Sequence, residues 1–441
     1  MVAMKKIVNA IFIAISCFMF LFVLEGKDKV RAYNEVSWGY SATNMDDFVT
    51  KTQKFNKEEV VVAVIDSGID ASHEWVKNRV IGGAYCNNDK CETGKYNDES
   101  GHGTSVAGII AKATPDNVKI LPIKREVVRV TDTGEKVYSS KSAIQSLWYI
   151  RDLVKSKHMN IKVVNFSMST IGTCSDNSLY SSIIKELYSL GVLVVSAAGN
   201  NNANADSSCM NTVDETIVVS AINSDMKRDV GSADSIHAVA YGVDEYSNFG
   251  TVVDFAAPGT LIRSANLNGG TSLVTGTSYA APHVSADIAL IYSICKDYSV
   301  SKVESILISS AKHPTATQKD EFYGYGYIDM AEVYQRIMSR KVTITTQGFG
   351  FVQYENTKND GTSSVINIRS APFQPTTDLL TLNENLSLNI EPSILHKVKY
   401  IKVNGEIVKT GKLFQTLEYA IQASPDLSEE LVIEIKFSFL F

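Results

Sequence analysis

Three things are scarce in this chain: excess positive charge, cysteine pairs at metal spacing, and repeats. Its lysines and arginines number 42 against 48 aspartates and glutamates, a net charge of −6. No basic stripe stands out, which argues against nucleic acid as the main partner. Six cysteines occur and none lies in a C-x-x-C pair, so a zinc site is not expected. No internal repeat or low-complexity tract interrupts the sequence. What remains, 44% hydrophobic and 20% charged residues over 441 positions, is an ordinary globular composition with room for two or three domains.

The exception is the N-terminus. Lys5 and Lys6 precede the apolar run 7–24, "IVNAIFIAISCFMFLFVL". The run is long for a secretory signal and short for a membrane span. Residues 1–32 read as a signal peptide, with an uncleaved membrane anchor as the alternative. Either reading puts the rest of the chain outside the cytoplasm, where disulfides persist. Cys86 and Cys91, in "CNNDKC", are near enough to staple one loop, and Cys174 with Cys209 forms the next candidate pair.

Polar, irregular sequence fills 33–57. Apolar strand-length runs then alternate with amphipathic or apolar helical stretches: "VVVAVI" (60–65), "GHGTSVAGIIAKA" (101–113), "VKILPIK" (118–124), "SAIQSLWYIRDLVKSK" (142–157), "IKVVNFSM" (161–168) and "GVLVVSAA" (191–198). Fully apolar strands between helices imply an α/β fold, a parallel sheet covered by helices on both faces. From 342 to 441 short alternating segments replace them, with "VNGE" as a hairpin signal, so a small all-β domain closes the chain.

Four polar residues stand at informative places. Asp66 ends the first strand in "VIDSG". His102 lies between two glycines at a helix start. Asn200 follows another apolar strand in "SAAGN". Ser278 opens a long apolar helix in "GTSYAAPHVSA". Each has an ordinary reading: a cap, a structural histidine, a turn residue, an N-cap serine. Together they also fit a relay in which Asp66 orients His102, His102 accepts the Ser278 proton, and Asn200 donates to an oxyanion.

Six ordered blocks, "VAVIDSGID", "GHGTSVAG", "VVNFSMS", "VVSAAGN", "FAAPG" and "GTSYAAPHVSA", resemble the signature blocks of subtilisin-like serine proteases, the subtilases, over about 58–335. The resemblance implies Asp66, His102 and Ser278 as a catalytic triad and Asn200 as an oxyanion donor. It implies a peptide substrate added as a strand along Ser167, Met168 and Ser169, with 136–140 on the other side. Ala197, Ala198, Gly199 and Ser208 would line the pocket for the residue before the cut, and the Cys174–Cys209 staple would fix that pocket. On this reading 33–57 is an N-terminal strap or short pro-segment, 58–341 the catalytic domain and 342–441 a β-rich C-terminal domain. Broad extracellular degradation and limited processing of one precursor, as by lantibiotic leader peptidases, both fit. A catalytically dead fold that only binds is the reading from a different class.

Departures from the family pattern are local. Ser105 stands where a second histidine is usual, and Tyr279 where methionine follows the nucleophile. Trp75 occupies the place of an aspartate that binds calcium in many members, so no metal cofactor is expected. The segment between the apolar run and the first strand is too short for a compact pro-domain.

Overall fold

A computed structural model describes residues 37–55, 57–130, 136–156, 159–168, 178–228, 247–315, 318–357, 363–370, 376–382, 385–422 and 430–439. The chain divides into two compact units, with the main division between Met330 and Ala331; Lys54–Asn56 also belongs to the second unit. The division falls eleven residues before the sequence-based boundary, because the helix Met330–Met338 goes almost wholly with the second unit.

The first unit is built on an eight-stranded sheet. Its strands are β1 (Val60–Asp66), β2 (Ala84–Cys86), β3 (Cys91–Thr93), β4 (Val118–Arg125), β7 (Ile161–Phe166), β8 (Leu193–Ala197), β9 (Thr216–Ile222) and β10 (Phe255–Pro258). A separate hairpin, β5 (Val127–Val130) with β6 (Lys136–Tyr138), lies between β4 and β7 in the chain. The sheet order is β10-β9-β8-β7-β1-β4-β2-β3, and every pair is parallel except β2 with β3.

All seven residues of β1 are buried. A strand covered on both faces has no solvent side, which is why it reads as a continuous apolar run. The chain leaves β1 toward β4 on one side and returns to β7 on the other. A crevice therefore opens at the carboxyl end of β1, where Asp66 stands.

Helices α3 (His102–Ala113), α4 (Ser140–Lys155), α5 (Leu179–Ser189), α6 (Thr277–Ile294) and α7 (Val300–Ser310) accompany the sheet. Helix α6 is buried along nearly its whole length and touches β1, β7, β8, β9 and β10. On the other face α4 and α5 cover a cluster that includes Ile65, Ile123, Leu147, Phe166 and Ile184.

The stretch before β1, read as irregular from sequence, holds two short helices, α1 (Trp38–Ala42) and α2 (Met45–Lys51). Tertiary contacts fix them. Met45 and Phe48 are fully buried, Trp38 Nε1 donates to the Thr260 carbonyl at 2.9 Å, and the Tyr40 hydroxyl donates to the Ile109 carbonyl at 3.3 Å.

The second unit carries a five-stranded and a four-stranded sheet. Their pairs are antiparallel except for Arg340–Gln347 with Glu430–Phe439. Val352, Tyr354, Leu386, Leu388, Ile390, Leu431, Ile433 and Ile435 alternate inward along their strands to make its core.

Candidate active site

The histidine and the carboxylate meet. His102 Nδ1 donates to Asp66 Oδ1 at 2.8 Å. The Asp66 side chain is 1% exposed and that of His102 29%, so the imidazole is partly open to solvent while its carboxylate is shielded. The Ser67 backbone N–H also donates to Asp66 Oδ1, at 2.7 Å. The bond to the carboxylate fixes which ring nitrogen, Nδ1, carries a proton on that side.

Glycine makes this approach possible. A Cβ on Gly103 would sit 2.1 Å from the Gly68 carbonyl oxygen and 3.1 Å from Asp66 Cβ. Any larger residue would push α3, and His102 with it, away from the end of β1. The loop before His102 is organised by Asp98. It accepts from the Ser67 hydroxyl and the Ser100 and Gly101 N–H groups through Oδ1, and from the Thr104 N–H and hydroxyl through Oδ2. Burial would raise its pKa, but these hydrogen bonds outweigh burial and hold it below the usual carboxylate value.

Ser278 is the second residue of α6. Gly276, just before the helix, has φ of 137°, a conformation that favours glycine. Pro282 sits inside α6 and has no N–H for the carbonyl four residues earlier, which is that of Ser278. The Ser167 hydroxyl supplies the missing bond, donating to the Ser278 carbonyl at 2.7 Å. In return the Ser278 hydroxyl donates to the Ser167 carbonyl at 2.9 Å. Ser167 is itself held by Asn165 Nδ2 at 2.8 Å, and Asn165 accepts from the Ser285 hydroxyl at 2.9 Å. This buried polar network ties the end of β7 to the start of α6.

Asn200 stands just past β8. Its Oδ1 accepts from both the N–H and the hydroxyl of Thr277, each at 2.8 Å, and the Thr277 hydroxyl oxygen accepts from the Gly199 N–H at 3.0 Å. The amide oxygen is thus turned toward α6, which fixes the direction of the NH2 group.

Ala197, Ala198 and Ser208 are buried. Asn211 links the Ala197 end of β8 to Ser196, accepting from the Ser196 hydroxyl at 2.9 Å. Tyr279 packs beside His102, with ring centroids 5.5 Å apart. Ser105 donates to the Ala265 carbonyl at 2.7 Å.

Cys86 and Cys91 form a disulfide across the β2–β3 hairpin. Cys209 is disulfide-bonded, while Ser169 and Cys174 lie outside the described residues. The apolar run 7–24 also lies outside them; among the described residues no helix is long and apolar enough to cross a membrane. Asn165, Ser285, Thr277 and Asp98 help carry the geometry and were not singled out from sequence, and Ser167, marked there only as a substrate edge, joins them in it. Only Asp98, four residues before His102 in "DESGH", left a local signal.

The subtilase family model matches residues 57–326. The chain belongs to the subtilase family, the subtilisin-like serine proteases. Subtilisin amylosacchariticus of Bacillus subtilis subsp. amylosacchariticus is 32% identical over 282 residues, 63% of this chain and 66% of that protein, just under two thirds of its length. A subtilisin of Bacillus pumilus is 31% identical over 282 residues, 63% of this chain and 92% of that protein. Among solved structures, a lanthipeptide protease aligns with a TM-score of 0.53 at 24% identity, over 67% of this chain and 92% of that one. Sphericase aligns at 0.51 and 22% identity, over 67% and 98%. Both likenesses concern the subtilase fold.

Proposed function

We propose that this subtilase is an exported serine endopeptidase. Ser278 Oγ attacks the carbonyl carbon of a peptide bond while His102 Nε2 takes its proton, and Asp66 orients the imidazole and stabilises the imidazolium. The Asn200 NH2 group donates to the oxygen as it becomes negative, and the N-terminus of α6 adds its positive dipole end. The C–N bond then breaks, His102 returns the proton to the leaving amine, and an acyl-enzyme remains on Ser278. Water reverses the sequence and releases the acid.

The 2.8 Å bond between His102 and a shielded Asp66 supports this reading most strongly. The Ser278–Ser167 contact fits it too. A peptide added as a strand along 167–169 offers an N–H to the Ser167 carbonyl. That releases the Ser278 hydroxyl to turn, by rotation about χ1, toward His102. The N-terminal apolar run directs export.

Purified protein incubated with a peptide library tests the reading. Hydrolysis that disappears in Ser278→Ala supports it, and hydrolysis that persists in that variant overturns it. The cleavage profile separates the two uses: cuts at many sites mark broad degradation, and one dominant motif marks processing of a precursor.

A further inference from the structure

Lys124 is the register partner of Asp66 across β1 and β4. Arg125 follows it, so its side chain leaves the opposite face of the same sheet edge. It is buried, at 4% exposure, with its guanidinium carbon 5.0 Å from the Phe166 ring centre and 5.5 Å from that of Tyr138. One terminal nitrogen donates to the Ser139 carbonyl at 2.8 Å. Among the described residues the other meets only Met168 Sδ, at 2.9 Å. Nε has no partner among the described residues. Asp66, the carboxylate whose field reaches it, is already engaged by His102.

This is an incomplete set of bonds for a buried arginine. A guanidinium has five N–H donors and keeps its charge, and a thioether is a weak acceptor. Burying such a group without an anion is costly. Arg79, in the same unit and equally buried, shows a fuller arrangement. Its Nε donates to the Val118 carbonyl, one terminal nitrogen to the Ala111 and Thr114 carbonyls, and the other to the Thr114 hydroxyl. Asp116 lies 3.8 Å away. Arg79 is a structural arginine with four of its five donors used. Arg125 lacks an acceptor on the side where Met168 covers it.

On the proposed reading of peptide binding along 167–169, that side adjoins the substrate strand. Met168 follows Ser167, whose carbonyl accepts from the nucleophile. Methionine is unbranched and flexible, so it moves aside at little cost.

We infer that Arg125 determines specificity, forming with Tyr138 and Met168 a subsite that takes a carboxylate side chain, Asp or Glu, from the part of the peptide preceding the cut. The carboxylate displaces the Met168 sulfur and accepts from the guanidinium. This inference rests on the proposed peptide hydrolysis at Ser278.

The test uses the purified protein and peptides that differ at single positions before the cut, carrying Asp, Glu, Asn, Gln or Leu. At one position the acid raises kcat/KM at least about tenfold over its amide, mostly through KM. Arg125→Met abolishes that ratio, and Arg125→Lys retains part of it. Equal kcat/KM for acid and amide at every position, in a wild type that a fluorophosphonate labels fully, overturns the subsite and leaves the hydrolase reading standing. An acid preference that survives in Arg125→Met also overturns it. A wild type that neither labels nor cleaves overturns both.

Discussion

Asn200 Oδ1 accepts two hydrogen bonds from Thr277, the residue immediately before Ser278. The proposed oxyanion donor and the proposed nucleophile are therefore positioned by one shared neighbour. Replacing Asn200 by Ala removes the donor, and kcat should fall about 10²- to 10³-fold with KM little changed. That is the loss that removing one such donor causes in a subtilisin, a relative of this protein. Thr277→Ala keeps the donor and loosens it, so kcat should fall by a smaller factor, up to about tenfold. Steady-state kinetics on one peptide checks both; a Thr277→Ala loss as deep as that of Asn200→Ala would contradict the arrangement.

Two buried groups of α6 set opposite pH dependences of stability. His283 donates from Nδ1 to the Tyr279 carbonyl at 2.9 Å, and burial pushes its pKa down to about 4 from 6.5. The unfolded chain takes up this proton at higher pH than the folded one. Its contribution is therefore complete above about pH 6.5 and is lost as pH falls toward 4, on the order of 3 kcal/mol. Asp287, one turn later, has its pKa raised by burial and then by the negative charge of Asp329. The folded state holds that proton longer, so its cost grows as pH rises above the ordinary carboxylate value. Urea unfolding at several pH values should show a shallower loss toward acid in His283→Gln, and Asp287→Asn more stable than wild type near neutrality. Profiles parallel to wild type in both variants would refute this account.

The Cys86–Cys91 bridge closes a loop with a sequence separation of 5. Opening it in a Cys86→Ala/Cys91→Ala variant should lower unfolding stability by about 2 kcal/mol, the value for so short a loop. Unfolding curves that coincide with wild type under non-reducing conditions would count against a structural role.

Position 75, which by the sequence resemblance corresponds to a calcium-ligating aspartate in many subtilases, is Trp. Activity is accordingly expected to survive EDTA. Loss in chelator with recovery on adding calcium would contradict that.

The readable parts of this chain were those where local pattern and tertiary demand agree. Strand β1 is apolar throughout because both its faces are covered. The hairpin at "VNGE" was legible because Asn404 and Gly405 take the positive φ values, 50° and 85°, of a two-residue turn between paired Val403 and Glu406. Helices α1 and α2 were not legible: at five and seven residues they are too short for a period, and long-range burial holds them. Ser167 was marked as part of a substrate edge. Nothing local announces that it bonds a residue 111 positions away and compensates for Pro282. The incomplete bonding of Arg125 is likewise a property of what surrounds it in space.

The central claim is that Ser278 is an activated nucleophile, and a fluorophosphonate probe tests it most directly. The account predicts one label per molecule, mapped by mass spectrometry to Ser278, and no label in Ser278→Ala or after denaturation. A folded wild-type protein that takes no label, or takes it elsewhere, would contradict it.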